Sequence, residues 1–118
     1  VNPVQPRLPK CECGGILLPD VILFGGQYDQ VKFFDAIKAV SEADILMVIG
    51  TSYCISSIVK LIEIGIINKR LRRSVEFNTE LSQVSFVFDN VYIEKCSISV
   101  PKFIEIWLEG EFDEPRTE

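Results

Sequence analysis

Residues 45–52 read Ile-Leu-Met-Val-Ile-Gly-Thr-Ser (ILMVIGTS), and the fold turns on how this stretch is read. Ile45 to Ile49 is apolar throughout, short, and bounded by Asp44 and Gly50. A run of that length suits a strand better than a helix, and its lack of alternation means that both faces are covered. Strands of that kind belong to parallel sheets sandwiched between helices. Ile45–Ile49 is therefore expected at the centre of such a sheet. Upstream, from Val31 to Ala43, Phe33, Phe34, Ile37 and Val40 recur at helical spacing, with Lys32, Asp35, Lys38 and Glu42 on the outer face. Downstream, Ser57 to Ile67 is long enough for a helix and apolar nearly all round, which predicts burial on more than one side. Val75 to Asn78 reads as a short strand, and Val84 to Phe88 and Val91 to Ile93 as further candidates. A last helix is expected near Ser99 as N-cap, with Pro101 in its first turn, Phe103, Ile104, Trp107 and Leu108 inward, and Gly110 as its stop. Strand and helix alternating through short connections predict an α/β fold, a Rossmann-like parallel sheet with helices on both faces.

The N-terminal part is different in kind. Pro3, Pro6 and Pro9 make the first ten residues an extended arm, and Cys11 to Gly15 (CECGG) is turn chemistry. Ile16 to Phe24 is an apolar run broken by Pro19 and Asp20, and Val21 to Phe24 is expected to form a strand closed by Gly25 and Gly26. Across the 118 residues, 47% are hydrophobic and 25% charged, which suffices for one core and excludes disorder. No apolar run approaches the roughly 18 residues of a membrane span. Twelve Lys+Arg against 17 Asp+Glu give −5, and the acids cluster after Glu109, so bulk electrostatic binding to nucleic acid is not expected. There is no His, so chemistry that needs an imidazole base must take it from outside this stretch. The chain opens on Val1 and its one Met is Met47, which leads us to expect a processed piece or a fragment. No signal segment opens it, and an intracellular compartment is expected.

Ligands of open parallel sheets bind at the carboxyl ends of the strands. Three such ends carry suitable residues: Phe24-Gly25-Gly26, Gly50-Thr51-Ser52 and Asn78-Thr79-Glu80. Gly50 allows close backbone approach, and the hydroxyls and amides of Thr51 and Ser52 suit a phosphate. Asn78 with Glu80 suits ribose hydroxyls. The crossover helix between Gly50 and Asn78 should bring both ends to one edge of the sheet. The same Gly-Thr-Ser also fits an ordinary strand-to-helix turn with a helix cap. Cys11 and Cys13, followed by Gly14 and Gly15, look like half of a tetrahedral zinc knuckle or like an inert thiol pair in a loop. Cys54, in an apolar neighbourhood, reads as core, and Cys96 as core or the wall of a ligand pocket.

In order, CECGGILLPDVILFG, DILMVIGTS, VEFNTE and the Cys96 region leading into VPKFIEIW resemble the sirtuin family of NAD-dependent protein deacylases. The resemblance runs from about Pro9 to Gly110 and matches the C-terminal part of that family's catalytic core. It implies NAD contacts at Gly50, Thr51 and Ser52 for the phosphate–ribose part, at Asn78 with Glu80 for the adenosine ribose, and at Cys96 beside the adenine. It implies an acyl-lysine channel lined by Ile22, Phe24 and Gly25, along which a substrate peptide adds as a strand. Cys11 and Cys13 correspond to the second half of a four-Cys structural zinc site. On this reading 1–15 is the arm and half zinc loop, 16–110 the Rossmann-like NAD-binding portion, and 111–118 an acidic tail. The partners implied are an acyl-lysine protein or peptide and the missing N-terminal half of the core, which in the family carries the Gly-rich loop, the catalytic His and the first Cys pair. The isolated chain is then expected to be inactive. The departures from the family are Gly26 where it usually has Glu, Leu18 before Pro19-Asp20 in place of a basic residue, one residue rather than two between the cysteines, and Tyr53-Cys54-Ile55-Ser56-Ser57 where a Val-x-Pro motif is usual. Two alternatives stay open: a non-catalytic module that binds NAD or ADP-ribose, and an ADP-ribosyltransferase or NAD hydrolase.

Overall fold

The computed structural model describes residues 7–110. The first six residues of the expected arm and the acidic tail over 111–118 lie outside the described residues. The elements are α1 (Gln30–Glu42), β1 (Ile45–Ile49), α2 (Ser56–Ile66), β2 (Arg73–Asn78), a 3-10 turn (Ser85–Val87), β3 (Asn90–Ile93) and α3 (Cys96–Leu108). The three strands form one parallel sheet in the order β1-β2-β3, with Ile49 opposite Phe77 and Phe77 opposite Tyr92.

Helices pack on both faces of the sheet, as expected, with β1 the least covered strand. Leu46 and Val48 of β1 meet Ile62 and Ile66 of α2, with Val84, Val87 and Phe88 closing over the same cluster. On the other face Val75 and Phe77 pack with Phe103, Ile104 and Trp107 of α3 and with Met47 and Tyr92. Phe103 meets Phe77 edge-on at 5.5 Å. The period-2 alternation of each strand thus divides its side chains between two helices. Helix α2 comes close to β1 because it carries Gly65: a Cβ there would stand 3.0 Å from Leu46 Cδ2. Asn68 then ties the loop after α2 to the end of α1, donating to the carbonyls of Ala43 at 2.8 Å and Val40 at 3.3 Å.

Several expectations are corrected. Among the described residues the central strand is β2, whose Ser74, Val75, Glu76 and Phe77 are all buried, whereas β1 lies at an edge of the three strands and only its Val48 is buried. Val21–Phe24 is not a strand. Its residues are exposed, Phe24 at 99%, and Leu23–Gly26 closes a tight turn in which the Gly26 amide donates to the Leu23 carbonyl at 2.8 Å. Gly25 takes φ +79 there, and a Cβ on Gly26 would lie 2.9 Å from Leu23 O. Pro19 withholds an amide, and among the described residues no strand lies beside this segment to receive its ladder. Val84–Phe88 is a 3-10 turn rather than a strand: Ser82 and Ser85 hydroxyls take the amides of Val84 and Ser82, and its apolar residues cover the α2 face instead of extending the sheet. Helix α3 begins at Cys96, one turn before Ser99, which is buried and donates its hydroxyl back to the Lys95 carbonyl. Leu108 faces solvent at 80% exposure, on the far side of α3 from Phe103. Of helix α2 only Ile62 and Gly65 are buried.

Candidate functional site

Because the sheet is parallel, the carboxyl ends of β1, β2 and β3 share one edge. That edge carries Gly50–Ser52, Asn78–Glu80 and the segment leading to Cys96. The first two are joined directly. The Gly50 amide donates to the Phe77 carbonyl at 2.8 Å, and Asn78 Nδ2 donates to the Thr51 carbonyl at 2.9 Å. Asn78 Oδ1 accepts from the Thr79 amide at 2.9 Å, which holds its side chain in the tethering orientation. The two loops expected to converge do so.

Gly50 stands at φ +62, a conformation that side chains disfavour, and among the described residues nothing beyond its own chain neighbours lies within 4 Å of the place a Cβ would take. Its glycine is set by backbone angle, and the space beside it is open. Thr51 is half-buried and its Oγ1 accepts from the Tyr53 amide at 3.2 Å, while the exposed Ser52 hydroxyl donates to Cys54 Sγ at 3.3 Å. Open space over Gly50 thus lies beside two hydroxyls and an exposed strand end. Thr51 and Ser52 do not open α2, however, because Tyr53–Ile55 intervene before its first residue, Ser56. Cys54 is exposed in this loop and not part of the core. Glu80 is exposed beyond Asn78, and Cys96 is exposed in the first turn of α3.

Two residues that sequence reasoning passed over sit beneath this loop. Glu76 lies in the middle of the central strand, fully buried, on the same face as Asn78. Its Oε1 accepts from the Tyr53 hydroxyl at 2.7 Å and from Ser82 Oγ at 3.5 Å, and its buried Oε2 has no hydrogen-bond partner among the described residues. Tyr53 itself is at φ +59, rare for a residue with a Cβ. Burial first, then the hydrogen bond it donates to Glu76 and the charge of that carboxylate, push the Tyr53 hydroxyl up, so it stays a donor across the neutral range. The available signal was an acid inside an apolar strand, Val75-Glu76-Phe77, which demands a buried partner.

Ile22, Phe24 and Gly25 fall in or beside the exposed Leu23–Gly26 turn, whose backbone hydrogen bonds among the described residues are local. Cys11 and Cys13 occupy a small hairpin: Lys10 bridges Ile16 antiparallel, the Cys11 amide donates to Gly15 O and the Gly14 amide to Cys11 O, both at 2.8 Å, with Gly14 at φ +88. Hydrogen bonds from the Cys13 backbone and side chain hold the Cys11 thiol below its ordinary range. Both thiols are exposed, a donor set of the right kind for half a zinc site; no third Cys, His, Asp or Glu joins them among the described residues.

Comparison with known proteins agrees with this frame. The Sir2 family model matches residues 2–57. Over 102 residues the chain is 35% identical to an NAD-dependent protein deacylase of Mycolicibacterium paratuberculosis, a match that covers 86% of this chain and 41% of that protein. Among solved structures it is similar to a Sir2 homologue in complex with NAD, at TM-score 0.73 and 25% identity over 88% of this chain and 40% of the other. It is also similar to Sir2Af2 bound to a myristoylated histone peptide, at TM-score 0.71 and 30% identity over 88% and 45%. The chain spans about two fifths of the length of the curated relative and solved structures described here.

Proposed function

Because the chain belongs to the Sir2 family, we propose that it forms the NAD-binding portion of an NAD-dependent protein-lysine deacylase. The observation that carries this reading is the tether from Asn78 Nδ2 to the Thr51 carbonyl, which joins the two strand-end loops on one edge of the sheet beside open space at Gly50. On this reading the turn Gly50-Thr51-Ser52 holds the phosphate–ribose part of NAD, Asn78 and Glu80 border the adenosine ribose, and Cys96 borders the adenine. Bound there, NAD supplies a nicotinamide leaving group and an ADP-ribose acceptor for the acyl group. The chain's own contribution is to bind and orient. It contains no His, and the general base comes from outside it. Ile22, Phe24 and Gly25 form a wall of the acyl-lysine channel once a peptide adds as a strand. Cys11 and Cys13 give zinc two of its four thiolates, in a structural site that fixes the hairpin.

The test is incubation of the intact gene product with NAD and an acetyl-lysine peptide. Nicotinamide released one-for-one with deacylated peptide is the expected result. Nicotinamide without deacylation would move the assignment to ADP-ribosyl transfer or NAD hydrolysis. The exposed turn at Leu23–Gly26, where a pairing strand was expected, favours a second reading, a module that binds NAD or ADP-ribose without catalysis. Tight ADP-ribose binding with no nicotinamide released would select it.

A further inference from the structure

Glu76 is a costly residue where it stands. A carboxyl group in the middle of a central strand, wholly buried, with one oxygen unpartnered among the described residues, costs stability. Its one short hydrogen bond, 2.7 Å, runs to the hydroxyl of Tyr53, which belongs to the loop that leaves β1 and reaches across to β2. Tyr53 carries the one positive φ of a non-glycine among the described residues, and its amide in turn donates to Thr51 Oγ1. Strain of that kind persists only when the surroundings over-determine it. The anchor that does so is the Tyr53–Glu76 pair, one turn of loop away from Thr51 and two residues below Asn78 on the same strand face.

We propose that Tyr53 and Glu76 are positioning residues: a clamp from the floor of the sheet that sets the shape of the Gly50–Ser52 turn. The proposal rests on the reading of that turn as a nucleotide cradle, but its mechanical half stands on the hydrogen bond alone. Asn78 ties the loop from above through the Thr51 carbonyl, and Glu76 ties it from below through Tyr53. With both ties made, the turn presents its hydroxyls in one arrangement before any ligand arrives, which lowers the ordering cost of binding.

The experiment compares the intact gene product with its Y53F, E76L and E76Q variants by amide hydrogen exchange and by titration with ADP-ribose. In Y53F and E76L, exchange at residues 51–54 accelerates about ten- to a hundredfold, the range set by losing a hydrogen bond to a charged group. The amides of Val75 and Phe77 keep their protection. E76Q retains an acceptor for the Tyr53 hydroxyl and restores slow exchange. E76L removes a buried, half-satisfied acid, so its melting temperature holds or rises while the loop loosens, an outcome that a merely structural role for Glu76 does not give. ADP-ribose affinity falls about tenfold in Y53F and E76L, and in turnover the loss appears in KM for NAD rather than in kcat. Unchanged exchange at 51–54 in Y53F, or loosening of the loop and β2 together, would overturn the clamp. Wild-type protein that binds neither NAD nor ADP-ribose would instead defeat the nucleotide reading, and the exchange data would still decide the clamp.

Discussion

Gly50 and Cys11 are the two positions where single atoms set testable properties. Gly50 needs φ +62 and has open space around it, so replacing it costs backbone strain and no clash. Gly50→Val is expected to destabilise by about 1–2 kcal/mol in urea unfolding, and Gly50→Asn by less, since Asn tolerates the left-handed region. Equal losses for the two would mean that steric contact, not φ, governs the position. For Cys11, the hydrogen bonds from Cys13 lower the thiol below its ordinary 9.0, so the thiolate persists as pH falls through that value. All four cysteines are exposed, which leaves reactivity rather than access to rank them. In zinc-free protein, iodoacetamide at pH 8 should label Cys11 first, read by peptide mass spectrometry; equal labelling of all four would refute the shift. The residues of the candidate site were legible in the sequence because strand ends with Gly-Thr-Ser and Asn-x-Glu point to them in order. Tyr53 and Glu76 were not, because no local pattern says that an acid in a strand meets a tyrosine 23 positions upstream.

At the scale of elements, helices read better than strands. Helix α1 runs one residue ahead of its expected start because Asp29 caps it, its Oδ1 accepting from the amides of Val31 at 2.9 Å and Lys32 at 3.4 Å. Asp29→Ala should remove about 1 kcal/mol of stability, measured by denaturant midpoint, while Asp29→Ser retains most of it. No difference between the two would mean that α1 is held by its packing on α2 alone. Helical periodicity survives in sequence because it spans several turns, whereas short apolar runs carry no such record. Ile45–Ile49 and Val84–Phe88 look alike as strings, yet one is a strand and the other a 3-10 turn. Ser82 and Ser85 decide the second case, by taking backbone amides that a ladder would otherwise use. For α3, hydrogen bonding of the Ser99 hydroxyl within the helix, to the Lys95 carbonyl, displaced the expected cap by a turn.

Over the whole molecule the unevenness of burial is the governing fact. The β2 strand and α3 make a closed core, while β1 leaves an open apolar groove of about 270 Å³ lined by Val40, Ile49, Ile58, Leu61 and Ile62 among others. The run Leu17, Leu18, Val21, Ile22, Leu23 and Phe24 is also exposed. Surfaces of this kind promote association. Residues 1–118 prepared alone are expected to be poorly soluble, to bind zinc weakly and to release no nicotinamide; a monomer with a sharp melt by light scattering and calorimetry would contradict the first. Composition and periodicity alone determined that the chain builds an α/β sheet with helices on both faces, because apolar patterning is a property of neighbours in sequence. Tertiary structure decided which strand is central, that 21–26 turns instead of pairing, and that a buried acid in β2 grips the loop above it. Those outcomes depend on which distant groups meet, and hydrogen bonds across the sheet are made between residues that the sequence keeps far apart.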